Sequence, residues 1–160
     1  MNKKKYENAI LYFCKELGGE IRGKKKLAKL LYFLDFDLFE KYHRSLSGDI
    51  YKALPMGPVP LALEEMVQLM INKNILTKEA IQEREGYTPT EVFHNQSDPD
   101  MKVFDPQESE MLRRVILLYG HLNGKQLEEL SHSEAPYVGT EPLKEISYEL
   151  AYYRGTEFAT

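Results

Sequence analysis

Two aspartates, Asp35 and Asp37, stand inside the most apolar stretch of the chain, Leu30-Leu31-Tyr32-Phe33-Leu34-Asp35-Phe36-Asp37-Leu38-Phe39. An ionisable side chain in such surroundings needs a partner or a purpose. Paired carboxylates can divide general acid and base work. Two positions apart on a helix, however, their side chains point to different faces, so these two do not form a dyad with each other. Asp35 reads either as a buried, hydrogen-bonded structural group or as a contact point at an interface, the former being favoured. Cys14 falls on the apolar face of its own helix, where a thiol is ordinarily structural, and no Gly-x-Ser-x-Gly elbow occurs. His43, His94, His121 and His132 are scattered and lack zinc-ligand spacing. Asp98 and Asp100 alternate without the rest of a calcium loop, and no phosphate-binding glycine loop is present. The reading is of no catalytic residue, no metal and no cofactor, and hence of a protein that is not an enzyme.

Charge points elsewhere. The net charge is −4, but residues 1–30 carry nine Lys or Arg against three Asp or Glu, and the remainder twelve against twenty-two. Such a chain can attract an acidic partner at one end and a basic one at the other. The lysines Lys24, Lys25, Lys26 and Lys29 gather at a helix start, where cations are badly placed for the helix dipole, a hint of an acidic partner surface.

These residues need elements to position them. Tyr6, Ala9, Ile10, Phe13, Cys14 and Leu17 recur at helical spacing before Gly18-Gly19, which closes the helix. From Gly23 a second helix is apolar on nearly every face and should be the central pillar of the core. Ser45 to Pro60, with two glycines and three prolines, predicts an ordered connector with a short strand around 50–54, and Pro58 or Pro60 should open helix three over Leu63, Met66, Val67, Met70 and Ile71. Residues 75–83 and 87–93 predict a hairpin turning at Arg84-Glu85-Gly86. After a polar loop over 94–102, Asp105-Pro106-Gln107-Glu108 carries the cap, the first-turn proline and the capping-box glutamate of a further helix. A shorter helix should cover 122–132, a turn-rich connection 133–142, and the aromatic stretch 146–154 should dock back on the core. The fold expected is α+β, predominantly α-helical, with about five to six helices and a small hairpin or sheet.

At 160 residues the chain suits a single domain over 1–160. Its apolar runs fall far short of the roughly 20 residues of a membrane span, it opens without a secretory signal, and one cysteine forms no internal disulfide, which together predict a cytoplasmic protein away from membranes. Three helices followed by a hairpin are also the order of a winged helix, which makes a DNA-binding regulator the runner-up. Its reading helix would carry Glu64 and Glu65 against Lys73 alone, a poor surface for phosphates, so nucleic acid is disfavoured.

The blocks Lys29-Leu30-Leu31-Tyr32-Phe33-Leu34-Asp35, Leu46-Ser47-Gly48-Asp49-Ile50-Tyr51-Lys52-Ala53 and Met56-Gly57-Pro58-Val59-Pro60 resemble, in order and spacing, the Panacea domain of the phage-associated SocA-like antitoxin family. Leu130-Ser131-His132-Ser133-Glu134-Ala135-Pro136-Tyr137 is similar to its Leu-Ser-His segment, with Tyr137 where many members have Trp. The resemblance spans roughly residues 5–150 and is that of a stand-alone member. It implies a bacterial or prophage type II toxin–antitoxin pair, in which this protein neutralises a toxin encoded by a neighbouring gene through direct binding. A further mode it allows is an adaptor that delivers the toxin to an ATP-dependent protease. A homo-oligomer is compatible with either. The expected contact surface is the rigid connector and the basic start of helix two: Lys25, Lys29, Asp35, Asp49, Tyr51, Lys52, Met56 and Pro58. The competing reading of Gly48, Gly57 and Pro58 is that they only shape the chain path.

Overall fold

The computed structural model describes residues 1–158. Helix α1 (Lys3–Glu16) ends as expected: Gly18 and Gly19 both take positive φ, and the Gly19 amide donates to the Cys14 carbonyl at 2.8 Å. A three-residue strand β1 (Glu20–Arg22) leads into α2 (Lys24–Tyr42). Every residue of α2 from Leu27 to Leu38 is buried. Helix α4 (Pro106–Tyr119), helix α5 (Gly124–His132) and strand β3 (Gly57–Pro60) all pack on it. A helix without an exposed stripe is a central one.

The connector after α2 is a hairpin, β2 (Tyr51–Leu54) against β3. Helix α3 (Leu63–Asn72) then starts at Leu63 rather than at either proline, because Pro58 and Pro60 are spent inside β3. A strand holding two prolines contradicts the usual reading of such a segment, and it is tolerated because β3 is an edge strand. The second hairpin, β4 (Leu76–Ile81) and β5 (Thr90–Asn95), is joined by residues 82–89 rather than by a three-residue turn. Gln82 closes that loop by donating to the carbonyls of Arg84 and Tyr87. Strand β1 pairs with β5, giving the antiparallel order β1-β5-β4.

The capping box at Asp105 and Glu108 is formed as read. Glu108 is fully buried, held by Lys5 at 2.7 Å and Arg44 at 2.9 Å. Besides strand β1, two short elements were not foreseen: a 3-10 turn (Met101–Val103) within the 94–102 loop, and α6 (Ala135–Val138) within the 133–142 connection. Six α-helices and two 3-10 helices among the described residues slightly exceed the number expected. The fold is α+β and mainly helical, and no helix among the described residues is long and apolar enough to cross a membrane.

The C-terminal stretch docks on α2, as its aromatics suggest. Tyr148, in the 3-10 helix Tyr148–Tyr153, stacks on Phe36 and Phe39 at 4.7 and 5.3 Å between ring centroids. Ahead of it, residues 143–146 pair main chain with the outer edge of β2: the Ala53 amide donates to Lys144, and the Leu143 and Ile146 amides donate to Ala53 and Tyr51. The Arg154 side chain, 1 % exposed, lies among Asp37, Glu40 and Glu134 at 2.8, 2.9 and 3.0 Å. Arg114 meets the other oxygen of Asp37 at 2.8 Å. Burial raises Asp37 to about 6 against the pull of both arginines. Removing one partner of such a cage leaves buried charge uncompensated. Arg154→Ala should therefore lower the unfolding free energy by about 3–5 kcal/mol, read as an earlier midpoint in urea denaturation.

Candidate functional site

The two aspartates of α2 face apart, as their spacing requires. Asp37 meets the C-terminal arginine cage, and Asp35 meets the connector. The Asp35 carboxylate accepts the amides of Leu46 and Ser47 at 2.8 Å each, the Ser47 hydroxyl at 2.5 Å and the Tyr51 hydroxyl at 2.6 Å. Desolvation raises its pKa, and these hydrogen bonds oppose the rise. Asp49 clamps the far end of the same segment: it accepts the Tyr6 hydroxyl at 2.7 Å, its neighbour Ile50's amide at 2.7 Å and the Ala62 amide at 3.0 Å. Residues 46–62 are thus tied at both ends before any partner arrives.

Within this clamp the Pro-x-Pro spacing of β3 has a direct reason. Leu61 donates to Ile50, and the register pairs Tyr51 with Pro60 and Ala53 with Pro58. Tyr51 and Ala53 turn their main-chain groups away from β3, toward residues 143–146, so Pro58 and Pro60 likewise face out on the opposite edge. That edge has no N–H to offer another strand. Its Pro58 carbonyl is taken by the ammonium of Lys29 at 3.1 Å. Gly57, at φ +107°, lets the turn close over that lysine, since a Cβ there would fall 2.8 Å from Lys29 Cε and 3.0 Å from Ser131 Oγ.

Lys29 is 1 % exposed, and burial lowers its pKa to about 8, with the nearby Glu128 carboxylate opposing that shift and Lys25 adding to it. The other lysines at the start of α2 are spent within the chain rather than offered to an acidic partner. Lys24 pairs with Glu64 of α3 at 2.5 Å and Lys25 with Glu128 of α5 at 2.8 Å, while Lys26 donates to the Gly120 carbonyl after α4 at 2.7 Å.

Between the start of α2, the β3 edge, the start of α3 and the approach to β5 lies an open groove of about 630 Å³. Ala28, Val59, Pro60 and Leu63 supply apolar lining, and Met56 and Leu61 stand half-exposed at 52 % and 48 % on its rim. Ile50, opposite Leu61 in the hairpin, is 47 % exposed and continues the apolar face outside the groove.

Of the residues picked from the sequence, Lys25, Lys52 and Met56 reach solvent. Lys29, Asp35, Asp49, Tyr51 and Pro58 are buried beneath them and support the surface instead of lining its exterior. Sequence reasoning passed over Leu61, Glu64, Glu128 and Thr88–Glu91 because the groove is assembled from segments far apart in the chain. It also passed over Gly57's approach to Lys29, although a glycine between Met56 and a Pro-x-Pro strand is a signal for a close turn.

A family model described as Antitoxin SocA-like, Panacea domain, matches residues 27–137, which include α2 from Leu27 on, the clamped hairpin, α5 and the groove lining other than Gly23–Lys25. The chain belongs to that family. No curated protein and no solved structure matches the chain.

Two measurements test this construction. Gly57→Ala forces a Cβ against Lys29 at a backbone angle that L-residues avoid, and should cost about 1–3 kcal/mol in stability by urea denaturation. Lys29 holds fewer protons folded than unfolded between pH 8 and its ordinary 10.5, so its contribution to stability rises with pH across that window, by at most about 1.4 kcal/mol per unit. The unfolding free energy of wild type minus that of Lys29→Met should rise from pH 7 to 10. Parallel curves would show that Lys29 is not desolvated in the native state.

Proposed function

We propose that this protein is the antitoxin of a type II pair, acting as one domain over residues 1–160 in the cytoplasm and neutralising a cognate protein toxin encoded by a neighbouring gene through direct binding. The observation that carries the reading is the family match across residues 27–137. The structure's apolar surface on the hairpin and groove, including Ile50, Met56 and Leu61, supports a protein partner. Lys25, Lys52 and Met56 are its exposed members among the residues proposed from the sequence, and the buried set holds them in place. Because the backbone is pre-ordered by Asp35 and Asp49, association loses little conformational entropy there. The exposed positions of α3 include Glu64 and Glu65, which turns a DNA-facing role away.

The experiment places the neighbouring reading frame under one inducible promoter and this gene under another. Growth arrest by the neighbour alone, relieved by this protein, is the expected result, and two harmless neighbours would overturn the reading. The neighbour's steady-state level then separates sequestration, where it persists, from delivery to a protease, where it falls. Met56→Asp combined with Leu61→Asp should raise the Kd for that toxin by about tenfold or more while circular dichroism and Tm stay unchanged, because both side chains are half-exposed. Unchanged affinity would move the contact away from this face.

A further inference from the structure

From the charge left over in the groove we infer the chemistry of what it takes: an acidic side chain, Asp or Glu, flanked by apolar residues on a segment of the partner protein. This rests on the reading of the protein as a toxin-binding module and specifies what its groove recognises.

Four of the five charged residues that line the groove, Lys24, Glu64, Lys25 and Glu91, are already paired. Lys24 is held by Glu64, Lys25 by Glu128, and Glu91 by Lys78 at 3.8 Å. What remains is Lys29, which contributes to the lining, is 1 % exposed and has as its hydrogen-bond acceptor a neutral carbonyl rather than a carboxylate. The nearest carboxylate acting on it, Glu128, is already paired with Lys25, so one negative charge answers two lysines and the desolvation cost of Lys29 is only partly returned. Added to it is the start of α2. Gly23, at the N-cap, brings no side chain to accept a hydrogen bond, and the first turn holds no acidic residue. The positive end of a 19-residue helix therefore opens on the groove with no capping group. The residual potential is positive, and the surrounding lining is apolar.

The mode of docking follows from the neighbouring wall. The outward edge of β3 carries two buried prolines without N–H groups, and its Pro58 carbonyl is already taken by Lys29, so this edge offers no ladder for an incoming strand. Recognition falls to side chains, with apolar anchors against Met56, Val59 and Leu61 and a carboxylate directed to the α2 start. The Lys24–Glu64 pair stands between this groove and a smaller one of about 200 Å³ that both residues also line. That pair already balances the charge of Lys24, so what an incoming carboxylate finds is the open start of α2 and Lys29.

The test requires no toxin. Three sets of short, end-blocked peptides share Leu and Phe anchors and differ at one position, which is Glu, Gln or Lys. They are titrated into the isotopically labelled full chain and followed by amide NMR shifts. The Glu set should bind at least about fivefold tighter than the Gln set at low salt, and the Lys set weaker than both. The largest shifts should fall at Gly23–Lys26 and Val59. Leu61→Asp should weaken binding of the Glu set, and Lys29→Met, which keeps the volume of a buried side chain, should remove the preference for Glu over Gln. Equal binding of Glu and Gln peptides, preference for Lys, no binding, or shifts confined elsewhere would each overturn the inference. If a neighbouring toxin is neutralised in cells while these peptides fail, the groove assignment falls and the antitoxin reading stands. If the peptides behave as stated and no neighbour is toxic, the reverse holds.

Discussion

One carboxylate decides where the connector lies. A helix buried on every side, as α2 is from Leu27 to Leu38, packs through contacts that are individually weak and non-directional. Asp35 supplies the direction. Its four hydrogen bonds to Leu46, Ser47 and Tyr51 fix the chain leaving α2 to a point about two turns back along that helix. Without those donors the carboxylate would be an orphaned buried charge, and without the carboxylate the two amides and two hydroxyls would be orphaned in turn. The hairpin, the Lys29 contact and the groove wall formed by β3 are all downstream of this arrangement.

Three polar side chains divide α2 among its neighbours in this way. Lys29 reaches the hairpin edge, Asp35 the connector and Asp37 the C-terminal arginine. Each meets a different segment, and each is costly if its partner is absent. The apolar face alone would accept several placements of the same strands and helices. The polar groups exclude the placements that leave them unpaired.

How much of this the sequence reveals follows from the range of each signal. Local signals read true: the run of apolar residues in α2, the Gly18-Gly19 ending and the Asp105 capping box depend on neighbours a turn away. The opposed faces of Asp35 and Asp37 are likewise a matter of helical spacing. Strand β3 was obscured because its prolines count against a strand until one knows that they lie on an outer edge. Strand β1 has only three residues, too few for alternation to show. The charge cluster at Lys24–Lys26 looks like a binding patch in one dimension, and its partners Glu64, Gly120 and Glu128 are 40 to 103 residues distant. No property of the lysines themselves could reveal that they are occupied.

That occupancy changes what the lopsided charge of the chain is for. Lys24, Lys25 and Lys26 join the start of α2 to α3, α5 and the end of α4, so much of the basic excess there is consumed in assembly. The groove walls, by contrast, carry residues that the core does not need: Met56 and Leu61 are half-exposed, and Thr88 and Pro89 belong to an exposed loop. Burial and exposure therefore fall on different residues of the same short segment. Asp49, Tyr51, Gly57 and Pro58 are constrained by burial, backbone angle or close approach, whereas Ile50, Met56 and Leu61 are about half-exposed. A fold built this way can keep its clamp fixed while the residues on its rim change.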